Sequence, residues 1–299
     1  MESMKDILAK KGSLQEKYES LKLNLMENPE IKDFIIKEQM TPEQIDKSYA
    51  NFHEYLNERE KFLNNDASYL SKGYEPRLIM NHGYADIAYK ATEDLLRKNK
   101  ELDQKRRVKL VGLPKSYKDL TWADVSLDNQ GRADIYRFVS NFLSNFNKNS
   151  KGAYIYGDFG VGKSFIMAAM AKELAIKGIS TTIIHYPTFA IDVRNAIKDD
   201  KVKDMLDEVK TSQVLVLDDL GAEQSSSWLR DEVLQPILQY RMQEDLPTFV
   251  TSNLNMEGLE SHLAQTKNAN EIWPAKRVME RVRYLTEEIR LEGENKRHE

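Results

Sequence analysis

One stretch, residues 156–164, constrains the fold of this chain more than any other. It contains the pattern G-x-x-x-x-G-K-S, known as the phosphate-binding loop, at positions 157–164. A short apolar run at 153–156 precedes the pattern, and apolar residues at helical spacing follow it. We therefore predict that the loop joins a buried strand to a helix, which is the structural context that the motif requires.

The residue types of this loop suit the binding of ATP and Mg²⁺. Glycine lets the backbone wrap closely around a phosphate, and the following helix presents its positive dipole end to the same anion. Lys163 can reach the β- and γ-phosphates, and the Ser164 hydroxyl can ligate Mg²⁺. The predicted nucleotide-binding residues are Gly157, Asp158, Phe159, Gly160, Val161, Gly162, Lys163 and Ser164.

Two further strand ends carry polar residues that suit the same site. The apolar run 214–217 ends in Asp218 and Asp219, where Asp218 is expected to hold Mg²⁺ and Asp219 to orient or deprotonate the attacking water. The alternative is a polar turn, because Asp-Asp-Leu-Gly is good turn chemistry. Asn253 closes another predicted strand, 248–251, and is expected to contact the γ-phosphate or the attacking water, unless it only starts a loop.

Composition narrows the class of protein. The chain has 299 residues, enough for two domains, and its net charge of −4 gives no general attraction to nucleic acid. Because the sequence has no cysteine, disulfides, thiol catalysis and cysteine-ligated zinc are excluded, and no zinc is expected. No apolar run is long enough to span a membrane and no signal-peptide core follows the N-terminus, so we expect a cytoplasmic protein with no membrane partner.

The first part of the chain has mainly helical patterns. The residues Thr41-Pro42-Glu43-Gln44 have the chemistry of a helix start with a capping box. Apolar runs at 78–80 and 85–89 flank Asn81-His82-Gly83, which predicts a β-hairpin with His82 in its turn. The helical stripes are expected to pack on one another, and the alternative is that one of them docks on a partner protein.

The later part of the chain alternates predicted strands with predicted helices around the phosphate loop. This alternation predicts a parallel sheet with helices on both faces, the α/β class. We expect a mainly helical domain at 1–105, a linker at 106–130 and the nucleotide-binding domain at 131–299.

Several stretches of this sequence are similar to one bacterial family. They are residues 157–164, 217–223, 225–232, 238–243, 247–253 and 276–284. Together they resemble the DnaI family of primosomal helicase loaders, which is related to the DnaC loaders, over about residues 110–297. The resemblance implies an AAA+ P-loop NTPase core without the usual helical lid, preceded by a domain that binds the hexameric replicative DNA helicase. It also implies binding of single-stranded DNA, contacts with other primosome proteins and self-association through the AAA+ domains.

The resemblance also implies roles for individual residues. Lys163 and Ser164 match the Walker A motif, Asp218 and Asp219 the Walker B pair, and Asn253 the first sensor. Arg281 fits the segment that carries the arginine finger in this family.

Weaker expectations concern the surface and the hairpin. Arg241 is a weaker candidate for a contact across subunits, and Trp228 and Arg230 are possible DNA contacts. Some relatives hold the hairpin region with cysteine zinc ligands. Here that region must be held by other contacts, and packing is expected from Tyr74, Ile79, Ile87 and Tyr89.

The main hypothesis is therefore a helicase loader with ATPase activity, and two other hypotheses stay open. Many AAA+ proteins carry glutamate where Asp219 stands, so hydrolysis is expected to be slow, and a nucleotide-gated adaptor with negligible turnover is possible. A transposition helper ATPase shares the same core motifs. A small-molecule phosphotransferase is the least supported, because the sequence offers no acceptor pocket and no arginine-bearing lid.

Overall fold

The computed structural model describes residues 20–127, 129–146, 150–265 and 271–295. The chain divides into two compact units, Met1–Lys100 and Glu101–Glu299. The helical pattern expected for residues 1–19 lies outside the described residues. Among the helices that are described, none has both the length and the apolar character needed to cross a bilayer.

The helices of the first unit begin where the sequence offers capping chemistry. Residues 20–27 are helical, and helices α1 (Pro29–Lys37) and α2 (Pro42–Leu63) follow. At the start of α2 the Gln44 N–H donates to Thr41 Oγ1 at 3.3 Å, and the Thr41 N–H donates to Gln44 Oε1 at 2.8 Å. The predicted capping box is therefore confirmed.

The predicted β-hairpin is also confirmed. Strands β1 (Tyr74–Asn81) and β2 (Tyr84–Ala91) pair antiparallel. They are joined by His82 and Gly83, whose φ angles of 48° and 85° give the left-handed backbone of a tight two-residue turn. His82 is therefore the turn residue that the sequence predicts.

The hairpin is attached to α2 by hydrogen bonds as well as by packing. The Ala85 N–H donates to Ser48 Oγ at 2.8 Å, and Asn51 Nδ2 donates to the Ala85 carbonyl at 2.6 Å. The side chains of Leu78 and Met80 pack against the buried residues of the helices.

The expected packing of the hairpin is wrong for three of its four residues. Tyr74, Ile79 and Tyr89 are each 41–42% exposed. Ile79 alternates with Leu78 and Met80 along β1 and so lies on the outer face of the hairpin.

The second unit is built on a six-stranded parallel sheet. In chain order its elements are α3 (Glu93–Arg107), in which the division between the units falls, β3 (Val108–Val111), α4 (Gln130–Ser144), β4 (Gly152–Tyr156), α5 (Lys163–Ile176), β5 (Thr181–His185), α6 (Tyr186–Ala196), α7 (Val202–Lys210), β6 (Val214–Asp218), α8 (Gln235–Gln243), β7 (Thr248–Ser252), α9 (Met256–Ala264), α10 (Ile272–Leu285) and β8 (Thr286–Arg290). The strand order is β3-β5-β6-β7-β4-β8, and every pair is parallel. No helix follows β8 among the described residues.

Successive residues of the central strands face opposite sides of this sheet. In β6, Leu215 and Leu217 belong to the core formed with α6, α8, α9 and α10, whereas Val214 and Val216 belong to the core formed with α4 and α5. Burial on both faces explains why the strands have continuous apolar runs. The predicted parallel sheet covered on both faces is confirmed.

Residues 106–130, which the sequence led us to treat as a linker, are largely folded. They contribute the edge strand β3, which pairs with β5, and two short 3₁₀ turns, Lys115–Asp119 and Trp122–Asp124. The pattern Val-Lys-Leu-Val of β3 is short and half-exposed, as is usual for an edge strand, and this makes it hard to recognise in a charged stretch.

Candidate functional site

The phosphate-binding loop connects β4 to α5, as predicted. Gly160 and Gly162 have φ angles of 78° and 97°, a left-handed conformation that favours glycine. Lys163 is the first residue of α5, and its Nζ donates to the carbonyls of Gly157 at 2.8 Å and Asp158 at 2.9 Å. These contacts fold the lysine side chain back over the loop, where N–H groups of the loop and of the helix start can bind an anion.

Asp218 lies at the end of β6 and contacts the start of α5. Its Oδ2 accepts a hydrogen bond from Ser164 Oγ at 2.9 Å, and its Oδ1 accepts one from Thr251 Oγ1 at 2.7 Å. Burial raises the pKa of the Asp218 carboxyl, and the hydrogen bonds from Thr251 and Ser164 act in the opposite direction. The two oxygens of Ser164 and Asp218 form the kind of hard donor pair that Mg²⁺ prefers.

Asn253 connects the phosphate loop to the second acidic residue. Its Oδ1 accepts a hydrogen bond from Lys163 Nζ at 2.6 Å, and its Nδ2 donates to Asp219 Oδ1 at 3.1 Å. On the other side of the Asp219 carboxylate, His185 Nε2 lies 3.9 Å from Oδ2. The amide of Asn253 therefore lies between the cation that would bind phosphate and the carboxylate that would act on water.

Asp219 itself has an unusual backbone. Its φ angle is 59°, and its N–H donates to Thr251 Oγ1 at 2.9 Å. Aspartate and asparagine are among the few residues that adopt this left-handed conformation readily. The turn continues through Gly221, which has a φ angle of 93°.

These residues line one cleft with a volume of about 550 Å³. Lys163, Ser164, Asp218, Asp219 and Asn253 all lie in its wall, so the structure brings together five of the six residues expected to act on the nucleotide. The carboxyl ends of parallel strands meet at this edge of the sheet, which is where ligands bind in such folds.

One wall of this cleft was not predicted from the sequence. Residues of the 112–126 stretch form it, including Leu113, Pro114 and Tyr117. Their apolar side chains suit the base of a nucleotide. The pair Gly112 and Pro114 just after the apolar residues of β3 was the available signal, since Gly and Pro mark a turn at a strand end.

Gly157 and Asp158, at the start of the loop, do not line the cleft, and neither does Arg281 of α10. It is partly buried, its Nε donates to Gln239 Oε1 at 2.6 Å, and its guanidinium also donates to the Arg277 carbonyl. Burial lowers the pKa of Arg281, and the charge of Arg277 lowers it further. A position away from the cleft of its own chain is what an arginine acting on a neighbouring subunit requires.

The expectation that Arg241 contacts a neighbouring subunit is wrong. Its side chain is completely buried and donates to Thr248 Oγ1 and to the carbonyls of Lys210, Ser212 and Pro247. Burial lowers its pKa to about 9. Arg241 therefore ties together the chain segments that precede β6 and β7.

The prediction that Arg230 is an exposed DNA contact is wrong, and Trp228 is partly buried. The side chain of Arg230 is 1% exposed and ion-pairs with Asp231 at 2.7 Å and Glu271 at 2.6 Å. Trp228 packs against the core that includes Leu229 and Val233. The helical stretch begins at Ser227, and Arg230 lies in its π-helical turn, Leu229–Leu234.

Comparison with known proteins covers both units. Residues 1–89 match the family model described as the primosomal protein DnaI N-terminus, and residues 85–298 match the model of IstB-like ATP binding proteins. The replicative helicase loader DnaI of Bacillus subtilis is 34% identical over 293 residues, which are 95% of this chain and 94% of that protein.

The chain belongs to the DnaI family of replicative helicase loaders.

Solved structures support the same assignment for the second unit. The crystal structure of a putative primosome component from Streptococcus pyogenes is 48% identical, covers 65% of this chain and 98% of its own, and has a TM-score of 0.55. The crystal structure of the DnaC helicase loader has a TM-score of 0.52 at 24% identity, over 60% of this chain and all of its own, and shows a common fold. The resemblance to DnaI and the expected AAA+ core behind a helical N-terminal region are therefore confirmed. This DnaI-family chain contains an ATP-binding unit of the IstB-like kind.

Proposed function

We propose that this chain is an ATP-controlled loader, which binds the hexameric replicative DNA helicase and delivers it to single-stranded DNA when replication starts or restarts. One observation carries the proposal: the likeness to the Bacillus subtilis loader runs through both units and covers 95% of the chain. The match of residues 1–89 to the DnaI N-terminal model supports assigning the helicase contact to the first unit. The second unit then supplies the nucleotide switch.

Hydrolysis of ATP follows from the roles of five side chains. Lys163 and the N–H groups at the start of α5 bind the phosphates. Ser164 Oγ and Asp218 Oδ2, 2.9 Å apart, would hold Mg²⁺, which would supply positive charge against the phosphate oxygens. Asp219 orients the attacking water and accepts its proton, while Asn253 holds the Asp219 carboxylate and contacts the γ-phosphate. The rate is slow, because aspartate reaches less far than glutamate.

Self-association through the AAA+ units completes this site. Arg281 from one subunit stabilises the charge that develops on the nucleotide bound to the next subunit. Its contacts with Gln239 and the Arg277 carbonyl keep the guanidinium in a fixed orientation on α10. Assembly on the helicase ring and ATP hydrolysis are thereby coupled.

Single-stranded DNA needs a contact surface other than the one expected at Arg230, which is buried. Trp273, at the start of α10, is 77% exposed, and Lys276 Nζ lies 5.4 Å from the centre of its ring. An exposed aromatic ring beside a cation can stack a base and attract the DNA backbone. We assign the DNA contact to Trp273 and Lys276.

Two other functions rest on specific observations. The Asp219 carboxylate is shorter than glutamate and is hydrogen-bonded to Asn253 at 3.1 Å, which favours an adaptor that binds ATP with negligible turnover. The match of residues 85–298 to IstB-like proteins is compatible with a transposition helper. The match of residues 1–89 to the DnaI N-terminus argues for the loader instead.

The test is the mass of the complex formed with the replicative helicase of the same host, with and without ATP. Three variants accompany the wild type: Lys163→Ala, the matched control Lys172→Ala on the same helix, and a chain that lacks residues 1–100. We expect the complex to form only when residues 1–100 are present. Its stoichiometry or its release should change in Lys163→Ala and not in Lys172→Ala. No complex with an intact helicase under any condition would refute the loader and favour the transposition helper. ATP binding without phosphate release, even with helicase and DNA, would favour the adaptor.

A further inference from the structure

The segment after β8, residues 291–295, lies against the phosphate-binding loop. The Leu291 N–H donates to the Tyr156 carbonyl at 2.7 Å, so the pairing of β8 with β4 continues into this segment. Leu291 is 1% exposed and packs in the core formed with α4 and α5. A Cβ placed on Gly157 would lie 2.0 Å from the Leu291 carbonyl oxygen. The first glycine of the loop is therefore needed for contact with this segment.

A second glycine of the loop meets the same segment. A Cβ on Gly160 would lie 1.8 Å from Asn295 Oδ1, and Gly160 has a φ angle of 78°. The Asn295 side chain therefore lies directly against the Gly160 backbone. Neither Leu291 nor Asn295 lines the nucleotide cleft. The segment thus contacts the loop through residues that do not line the cleft.

The start of α4 connects the segment and the loop a second time. Asn129 Nδ2 donates to the Glu292 carbonyl at 3.0 Å, and Asn129 Oδ1 accepts the Arg132 N–H at 2.9 Å. Arg132 Nη2 then donates to the Val161 carbonyl at 3.0 Å. Each of three parts therefore contacts the other two: the loop, the segment after β8 and the start of α4.

A glycine-rich loop has many conformations available, and a ligand that selects one of them must overcome this freedom. Contacts that hold the loop in its binding conformation before the ligand arrives reduce that cost. We propose that the segment after β8 holds the phosphate loop in its binding conformation and that Asn295 is a positioning residue for nucleotide binding. Its contact with the loop slows the release of bound nucleotide. The inference rests on the proposed binding of ATP at this loop.

The expected effect is modest, because the contact of Asn295 with Gly160 is lost while the phosphate contacts of Lys163 remain. We expect Asn295→Ala to release nucleotide about 3- to 10-fold faster, the size of one hydrogen-bond-scale contact. Because Asn295 is exposed, its removal leaves the buried core and the thermal midpoint unchanged. If Asn295→Ala binds nucleotide more weakly but has the wild-type thermal midpoint, Asn295 positions the loop and does not merely stabilise the fold.

The test measures release of a fluorescent ATP analogue from the whole protein by stopped flow, together with KM and kcat for ATP. The variants are Asn295→Ala and a chain that ends at Glu294, and the matched controls are Glu294→Ala and a chain that ends at Asn295. We expect faster release and a higher KM in the first two, an unchanged kcat, and wild-type behaviour in the controls.

Wild-type release and KM in Asn295→Ala would overturn the inference. So would an equal effect in the chain that ends at Asn295, because the effect would then belong to the residues beyond it. A wild-type protein that binds no nucleotide would instead refute the proposed function, so the two failures are distinguishable.

Discussion

Replacing Asp219 by asparagine removes one chemical property and leaves the local structure intact. Asparagine has the same shape as aspartate, and it tolerates the left-handed backbone at φ 59° at least as well. Its side-chain oxygen can still accept the hydrogen bond from Asn253, now 3.1 Å long. The negative charge and the ability to accept a proton from water are lost. Asp219→Asn therefore separates chemistry from architecture.

The structure sets the size of both effects. The contact between His185 Nε2 and Asp219 Oδ2 is 3.9 Å long between side chains that are each 30% exposed, so its loss costs below about 1 kcal/mol of unfolding free energy. A general base contributes a factor of about 100 to 10,000 in rate. This factor corresponds to about 2.7–5.4 kcal/mol in the activation barrier. We expect hydrolysis to fall by at least about 100-fold, while ATP binding is as tight as in the wild type.

The assay is single-turnover hydrolysis with protein in excess over labelled ATP, in the presence of helicase and DNA. Binding of a fluorescent ATP analogue and the urea midpoint are measured on the same preparations. Asp219→Ala is the comparison, since alanine is less tolerant of the left-handed backbone and should cost about 1 kcal/mol of stability. Hydrolysis by Asp219→Asn at the wild-type rate would refute the assigned role of this carboxylate.

Four further predictions concern stability, pH and DNA. Thr41→Ala removes the capping box of α2 and should cost the first unit about 1 kcal/mol, measured as a lower urea midpoint. Arg241→Ala leaves buried carbonyls without donors and should cost about 3–5 kcal/mol, against a smaller loss in Arg241→Met; equal stability of Arg241→Ala and the wild type would contradict the burial argument. The Glu223 carboxylate raises the pKa of His262 from its ordinary value near 6.5. Their attraction therefore stabilises the fold below that pH and is lost as pH rises through the raised pKa. The difference in unfolding free energy between wild type and His262→Gln should be larger at pH 6 than at pH 8. Trp273→Ala should weaken binding of an oligothymidine about 10-fold, as expected for the loss of one stacked base, with no change in ATP binding.

Local chemistry was enough to predict the main parts of the site. The loop glycines, Lys163 and Ser164 stand together in the sequence, and the acidic pair directly follows an apolar strand. Strand ends converge at one edge of a parallel sheet, so Asn253 could be expected near Asp219 before any contact was known. Asn253 accepts a hydrogen bond from Lys163 and donates one to Asp219, which shows how close these strand ends lie.

Contacts between segments that are distant in the sequence could not be predicted in this way. Arg230 and Arg241 are charged residues on helical segments, and a solvated position is the usual outcome for such a residue. Their burial depends on acceptors from other segments, such as Glu271 and the carbonyls of Ser212 and Pro247. A single sequence gives no sign of which acceptors these will be.

The turn at the end of β6 resolves a choice that the sequence left open. Asp-Asp-Leu-Gly could be read as a polar turn or as the acidic end of a nucleotide site. Asp219 takes the left-handed conformation, its carbonyl accepts the Ala222 N–H at 3.2 Å, and Gly221 completes the turn with a φ angle of 93°. The same Asp219 carboxylate lines the cleft beside Asn253. The turn and the site are therefore one structure, and the turn explains the choice of aspartate. A longer glutamate would reach further toward an attacking water, but it would be less favourable in the left-handed backbone that the turn requires.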